Sequence, residues 1–328
     1  MRAAFYERNG AAAEVLEVGD IPDLVVGPGE VLVALEASGV NPSDVKARAG
    51  SRGMAFERIV PHSDGAGTVE AVGAGVPADL VGQRVWLWEA QWGRAWGTAA
   101  EHTVVPARCV APLPEAASFE EGACLGIPAL TAHRCLFADG PVDGKAVLVS
   151  GATGRVGAYA VQLAKHGGAL VLATVGSDDK AERAGKFGAD HVFNYRADGL
   201  AEQVLDVTGG RGVDRIVDAE FGANLAVDTA MLAANGAIAT YASMAEPTPT
   251  CAVYPLMLKN AVLRFVLVYD MPEEAKQQAA REVNDLLAAG RLQHQIAVSL
   301  SLDEIVAAHQ AIEASTAQGC VVLRPRDN

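Results

Sequence analysis

The sequence predicts an α/β protein in which a doubly wound parallel sheet is inserted into a β-rich domain. Three observations predict it. Residues 145–165, KAVLVSGATGRVGAYAVQLAK, read as strand, glycine turn and helix; apolar runs alternate with helical segments from there to about 265; and a β-rich stretch precedes them.

Residues 1–123 carry short apolar runs at 30–40, 68–76 and 83–87, punctuated by Gly and Pro, as in a barrel or sandwich. At Ser118-Phe-Glu-Glu121 the texture changes, because these residues form a capping box that opens a helix carrying Ala123, Leu125, Ile127 and Leu130 inward. Strands are then expected at 146–149, 169–175, 190–193, 214–218, 236–241 and 261–268, with helices between them. An amphipathic helix follows at 273–289, and a second capping box, Ser301-Leu-Asp-Glu304, opens a helix to about Ala314. A last strand covers 320–323. This tail has no sheet of its own, so it is expected to pack back on the N-terminal segment. The expected domains are 1–123 plus 266–328, and 124–265.

The glycine turn specifies a ligand. In Ala152-Thr153-Gly154-Arg155-Val156-Gly157 the glycines let backbone approach a pyrophosphate and let helix pack on strand, while the helix's unpaired N–H groups face the anion. A second apolar run about 20 residues later completes the βαβ unit. The ligand implied is a dinucleotide.

Composition narrows the class. A chain of 328 residues with 50% hydrophobic and 20% charged residues is long enough for two globular domains. A net charge of −14 and a pI near 4.9 argue against binding a nucleic-acid backbone or an anionic membrane surface. The five cysteines are scattered without a CxxC pair, the first residues lack a signal-peptide core, and no run approaches the ~18 apolar residues of a membrane span. A cytoplasmic location is expected.

Seven segments in order carry a likeness that covers the whole chain: Pro28-Gly-Glu-Val-Leu-Val, Gly39-Val-Asn-Pro-Ser-Asp44, Asp64-Gly-Ala-Gly-Thr-Val, Val81-Gly-Gln-Arg-Val, Leu130-Thr-Ala, the nucleotide loop and Phe187-Gly-Ala-Asp-His-Val-Phe-Asn-Tyr195. The chain resembles the medium-chain dehydrogenase/reductase superfamily, in its zinc-independent NADPH:quinone oxidoreductase (zeta-crystallin-like) branch. The resemblance implies a GroES-like domain completed by the C-terminal residues, an inserted Rossmann domain, and an active site in the cleft between them. Zinc-dependent relatives have a cysteine at Asn41 and a Gly-His-Glu run near residues 61–65. Here that register places Ser63 at the ligand histidine and Asp64 at the glutamate, leaving His62 one residue out as a loop histidine, and no four-cysteine lobe is present. No metal is expected.

The second strand of the nucleotide fold ends Thr174-Val-Gly176-Ser177 without the acid that would bond a ribose 2′-OH. Resembling reductases hold a 2′-phosphate with the equivalents of Ser177, Lys180 and Tyr195, so NADPH is expected. Asp178 and Asp179 cap the next helix or face the ribose and favour NADH, and Arg155 is either a phosphate contact or a solvated arginine. By resemblance Asn41 and Thr131 sit beside the nicotinamide, orienting it or bonding the substrate oxygen. The branch's tyrosine is replaced by Lys46, read as exposed. All four tryptophans fall in 86–96: Trp86 and Trp88 read as core, while Trp92, Arg94 and Trp96 either form an aromatic, cationic rim for a flat substrate or belong to a loop that does not touch it.

The function implied is hydride transfer from NADPH to a quinone or other α,β-unsaturated carbonyl. The alternatives are a 2-alkenal or enone double-bond reductase with little quinone activity, and a non-catalytic NADPH-binding protein of crystallin or sensor type. The strongly β-forming run 261–269 lies at the predicted sheet edge, where the family meets across a two-fold axis, so a homodimer is expected.

Overall fold

The computed structural model describes residues 1–326, in two compact units: residues 1–127 with 280–326, and residues 128–279. The first, the terminal unit, begins with β1 (Arg2–Phe5), α1 (Ala12–Val15) and β2 (Glu17–Asp20), followed by the long β3 (Glu30–Val40) and α2 (Pro42–Lys46). Then come β4 (Asp64–Val72), β5 (Arg84–Leu87), β6 (His102–Pro106), β7 (Val110–Pro112) and α3 (Phe119–Ala123). The expected helix from Ser118 forms with its capping box intact, but it stops at Ala123 and a separate α4 (Gly126–Phe137) follows.

The central unit places β8 (Ala146–Val149), α5 (Arg155–His166), β9 (Leu170–Val175), α6 (Asp178–Lys186), β10 (His191–Asn194) and α7 (Leu200–Val207) in sequence. It continues with β11 (Val213–Asp218), α8 (Phe221–Met231), β12 (Leu232–Thr240), α9 (Val253–Leu258) and β13 (Val262–Phe265). All pairings are parallel, in the order β10-β9-β8-β11-β12-β13. β8 and β9 are apolar almost throughout, as strands of a sheet covered on both faces are, and β11 is buried at all but one position although Asp214, Arg215 and Asp218 lie in it.

After α10 (Glu273–Ala288) the chain returns to the terminal unit as β14 (Ile296–Ser301), α11 (Ile305–Glu313) and β15 (Cys320–Arg324). β15 pairs antiparallel with β3 over Ser38–Val40 and parallel with β14, so the tail joins the sheet β14-β15-β3-β4-β5-β7, with β6 also on β3. Strand β14 has no counterpart among the sequence expectations. Trp86 and Trp88 are fully buried, as expected. Among the described residues no helix is long and apolar enough to cross a membrane.

Candidate functional site

The nucleotide loop runs from β8 through residues 150–154 into α5. Its turn rests on Gly151, at φ +64, one residue before the Ala-x-Gly-x-x-Gly pattern that marked it in the sequence. The loop is tied down by Ala152 N–H to Thr174 C=O (3.1 Å) and Gly154 N–H to Gly151 C=O (2.9 Å). A Cβ on Gly157 would lie 2.3 Å from the Gly151 carbonyl oxygen, so only glycine lets α5 pack here; on Gly154 the closest approach is 3.2 Å. The first ladder bond of α5 runs from Ala158 N–H to Gly154 C=O, which leaves the N–H groups of Arg155, Val156 and Gly157 at the helix's positive end. Thr153, Arg155 and Val156 are half-buried there. A closely packed glycine turn beneath an open helix N-terminus fits the pyrophosphate of a dinucleotide.

At the end of β9, Gly176 and Tyr195 come together: a Cβ on Gly176 would lie 2.8 Å from the tyrosine hydroxyl, and Tyr195 N–H bonds Val175 C=O (3.0 Å). Ser177 precedes α6, and Lys180 lies in that helix's first turn. The Ser177 hydroxyl donates to Asp179 Oδ1 at 2.6 Å, and this bond holds the exposed Asp179 carboxyl below its ordinary range. The acid therefore binds the serine itself. The Tyr195 ring is 51% exposed and carries Arg196 5.7 Å from its centroid.

A cavity of about 680 Å³ opens at the carboxyl ends of β12 and β13, lined by Phe221, Thr240, Tyr241, Cys251, Phe265 and Leu267 among others. Phe221 and Phe265 meet edge to face at 5.3 Å. In open parallel sheets ligands bind at these strand ends. Of these residues the sequence marked only Phe265 and Leu267, as part of the edge run 261–269 and not as a ligand wall.

In the terminal unit, Asn41 follows β3 and caps the start of α2, with its N–H bonded to Asp44 Oδ2 (2.8 Å). Its side-chain amide donates to Asp64 Oδ2 at 2.7 Å, and Asp64 also accepts the Ile127 N–H at 2.9 and 3.0 Å. A Cβ on Gly126 would lie 2.1 Å from Asp64 Oδ1, so glycine is required for the carboxylate to reach that helix end. Burial pushes the Asp64 carboxyl well above its usual range, against the lowering by the Asn41 bond. Asp64, read only as an alignment position, thus fixes the Asn41 amide. Thr131, in the central unit, is a buried residue of α4.

Three surroundings differ from expectation. His62 is a loop residue but fully buried, at φ +78, with Nδ1 2.9 Å from Ser38 Oγ and Nε2 2.9 Å from His309 Nε2. Ser38 Oγ continues to Thr98 Oγ1 (2.7 Å), which donates to the Asp64 carbonyl (2.6 Å). Arg94 does not form a rim; its guanidinium donates to the carbonyls of Ala90 (2.9 Å) and Glu89 (2.7 Å), pinning its own loop. Trp96 packs against the core, and the cation over Trp92 is Arg52, 4.9 Å from the ring centroid. Lys46 is exposed. Among the described residues no group of three or more His, Cys, Asp or Glu side chains is placed to hold a metal ion.

Two family models match the chain: alcohol dehydrogenase GroES-like domain over residues 27–115, and zinc-binding dehydrogenase over residues 156–285. Human quinone oxidoreductase is 31% identical over 94% of each chain, and a 2-haloacrylate reductase from a Burkholderia species is 29% identical over 92% of each. A mycobacterial structure described as complexed with NADPH superposes with a TM-score of 0.87 at 31% identity, covering 99% of this chain and 100% of that one. The chain belongs to the medium-chain dehydrogenase/reductase superfamily, in its zinc-independent, quinone-oxidoreductase (zeta-crystallin-like) branch.

Proposed function

We propose that this chain is a cytoplasmic, homodimeric reductase that uses NADPH to reduce quinones or other α,β-unsaturated carbonyls without a metal ion. The observation that carries the cofactor reading is the end of β9, where Tyr195 lies against Gly176, Ser177 and Lys180 follow at the start of α6, and the strand's last residue is Val175, not an acid. A relative of 31% identity solved with NADPH supports it. Human quinone oxidoreductase and the 2-haloacrylate reductase support the acceptor class.

When bound, NADPH supplies a hydride to the acceptor. The helix-end N–H groups of residues 155–157 hold the pyrophosphate, with Ala152, Thr153 and Gly154 shaping the turn, and the Arg155 cation pairs with a phosphate. Ser177, Lys180 and Tyr195 hold the 2′-phosphate. Asn41 and Thr131 orient the reacting groups and donate hydrogen bonds to the acceptor oxygen as negative charge develops. Asp64 keeps the Asn41 amide turned one way for that task. Solvent supplies the proton that completes the reduction.

Exposed Val253, Tyr254, Met257, Leu258, Phe265 and Leu267 surround the β13 edge, an apolar patch that a second copy would cover. Initial rates with NADPH and NADH against 1,4-benzoquinone and a 2-alkenal test the activity. NADPH oxidation with the quinone is expected. Reduction of the alkenal alone would move the assignment to a double-bond reductase, and NADPH binding without turnover to a binding protein.

A further inference from the structure

Strands β9 and β10 run parallel in a register that pairs Asn194 with Val175. Continued one and two residues further, that register sets Tyr195 opposite Gly176 and leads Arg196 toward Ser177, at the strand spacing of about 5 Å. The close approach of the Tyr195 hydroxyl to Gly176 keeps the first of these pairings beyond the strand ends. Arg196 is fixed in a turn, since its N–H bonds Asn194 Oδ1 (3.0 Å) and the Ala197 N–H bonds the Asn194 carbonyl (3.0 Å). Its exposed guanidinium lies 5.7 Å from the centre of the Tyr195 ring, within reach of a cation–π contact, and among the described residues it makes no hydrogen bond or ion pair. Nearby cations are matched: Arg183 faces Asp179 (4.0 Å) and Lys165 faces Asp190 (2.5 Å). An arginine resting on an aromatic face keeps the N–H edge with which it pairs an oxyanion in two parallel hydrogen bonds.

Charge decides what this edge can serve. A phosphate monoester carries about −1.5 to −2 at neutral pH. With Arg183 turned to Asp179, the first turn of α6 sets Lys180 against Asp178 and offers a phosphate no net positive charge of its own. Arg196 is the cation that tips this balance from the neighbouring strand end.

We propose that Arg196 is a specificity-determining cation for the 2′-phosphate, pairing two of its oxygens from the β10 side while Lys180 meets it from α6. The proposal rests on the NADPH reading above and adds to it a residue outside the Ser177, Lys180 and Tyr195 set. Tyr195 then has a second task, because its ring holds the guanidinium in place and reduces the side-chain freedom lost on binding.

Calorimetric titration of the full chain with adenosine 2′,5′-bisphosphate and with adenosine 5′-monophosphate isolates the 2′-phosphate, the one group by which they differ. The wild type is expected to bind the bisphosphate more tightly. Arg196→Gln should lower that preference about five- to thirtyfold, between the strength of an exposed ion pair and that of a charged hydrogen bond, with the monophosphate Kd unchanged. Arg196→Lys should recover part of it, and added salt should erode the preference more in the wild type than in Arg196→Gln. Arg211→Gln, which removes an exposed cation of the same unit, should leave the preference alone. An unchanged preference in Arg196→Gln, an equal fall in Arg211→Gln, or a parallel loss of monophosphate affinity would overturn the proposal while the NADPH reading stands. A wild type that binds the two nucleotides alike would overturn both.

Discussion

The buried histidine pair makes the terminal unit sensitive to acid, and replacing His309 by Gln should remove much of that sensitivity. His309 is fully buried, and burial, reinforced by the Arg48 charge, lowers its pKa from 6.5 to about 3. In the unfolded chain the same imidazole takes a proton below about pH 6.5. Its contribution to stability is therefore fully present above pH 6.5 and is lost as the pH falls toward 3, because only the unfolded state gains the proton. Between pH 7 and about pH 4.5 that loss is roughly 2–3 kcal/mol, at about 1.4 kcal/mol per pH unit below the unfolded pKa. His62, whose pKa is lowered by burial, adds in the same direction. Glutamine can still hydrogen-bond His62 Nε2 but does not titrate. Urea unfolding followed by tryptophan fluorescence suits the question, since Trp86, Trp88, Trp92 and Trp96 all lie in the terminal unit. Wild type should lose roughly 2–3 kcal/mol more than His309→Gln between the two pH values. An equal loss in both proteins would refute the reasoning.

Gly157→Ala should lower stability by about 1–3 kcal/mol and weaken NADPH binding tenfold or more, because the new methyl meets the Gly151 carbonyl and no side-chain rotation relieves it; calorimetric titration and thermal melts check both. Gly154→Ala, with more room, should cost much less in the same assays. Asp179→Asn removes a charge bonded to Ser177 and should raise affinity for NADPH several-fold more than for NADH in a fluorescence titration. Arg155→Gly should weaken NADPH binding more than NADH binding, and equal effects would take Arg155 away from the 2′-phosphate. Replacing Tyr254 and Leu258 together by Asp should convert a dimer to a monomer in light scattering.

Much of this architecture is legible in residue order. The strand expected at 30–40 forms over those same residues, most of which are buried in the sheet. β4, by contrast, begins four residues before its apolar run, because Gly65 and Gly67 read as loop signals. In the fold they are required: a Cβ on Gly67 would lie 1.9 Å from the Ala34 carbonyl oxygen of β3. The break between α3 and α4 was hidden for a similar reason. Helical periodicity continues through residues 123–130, and what interrupts it is the carboxylate of Asp64, more than fifty residues away, bonded to Ile127 N–H. The glycine turn at 152–157, carried by local pattern, could be read in advance. Roles set by distant partners could not: His62 depends on His309, and the cation over Trp92 is Arg52 rather than its sequence neighbour Arg94.

The place of β15 has a consequence for how the molecule is made. Strand β3 receives β15 along Ser38–Val40, so one flank of the terminal sheet stays open until residue 324 has left the ribosome. At ordinary synthesis rates the roughly 200 residues that follow position 127 take about 10–40 s. During that interval the central unit can be completed, while an apolar strand waits with unpaired backbone groups. Nascent chains halted between residues 280 and 318 should therefore be the species most prone to aggregate and most dependent on chaperones.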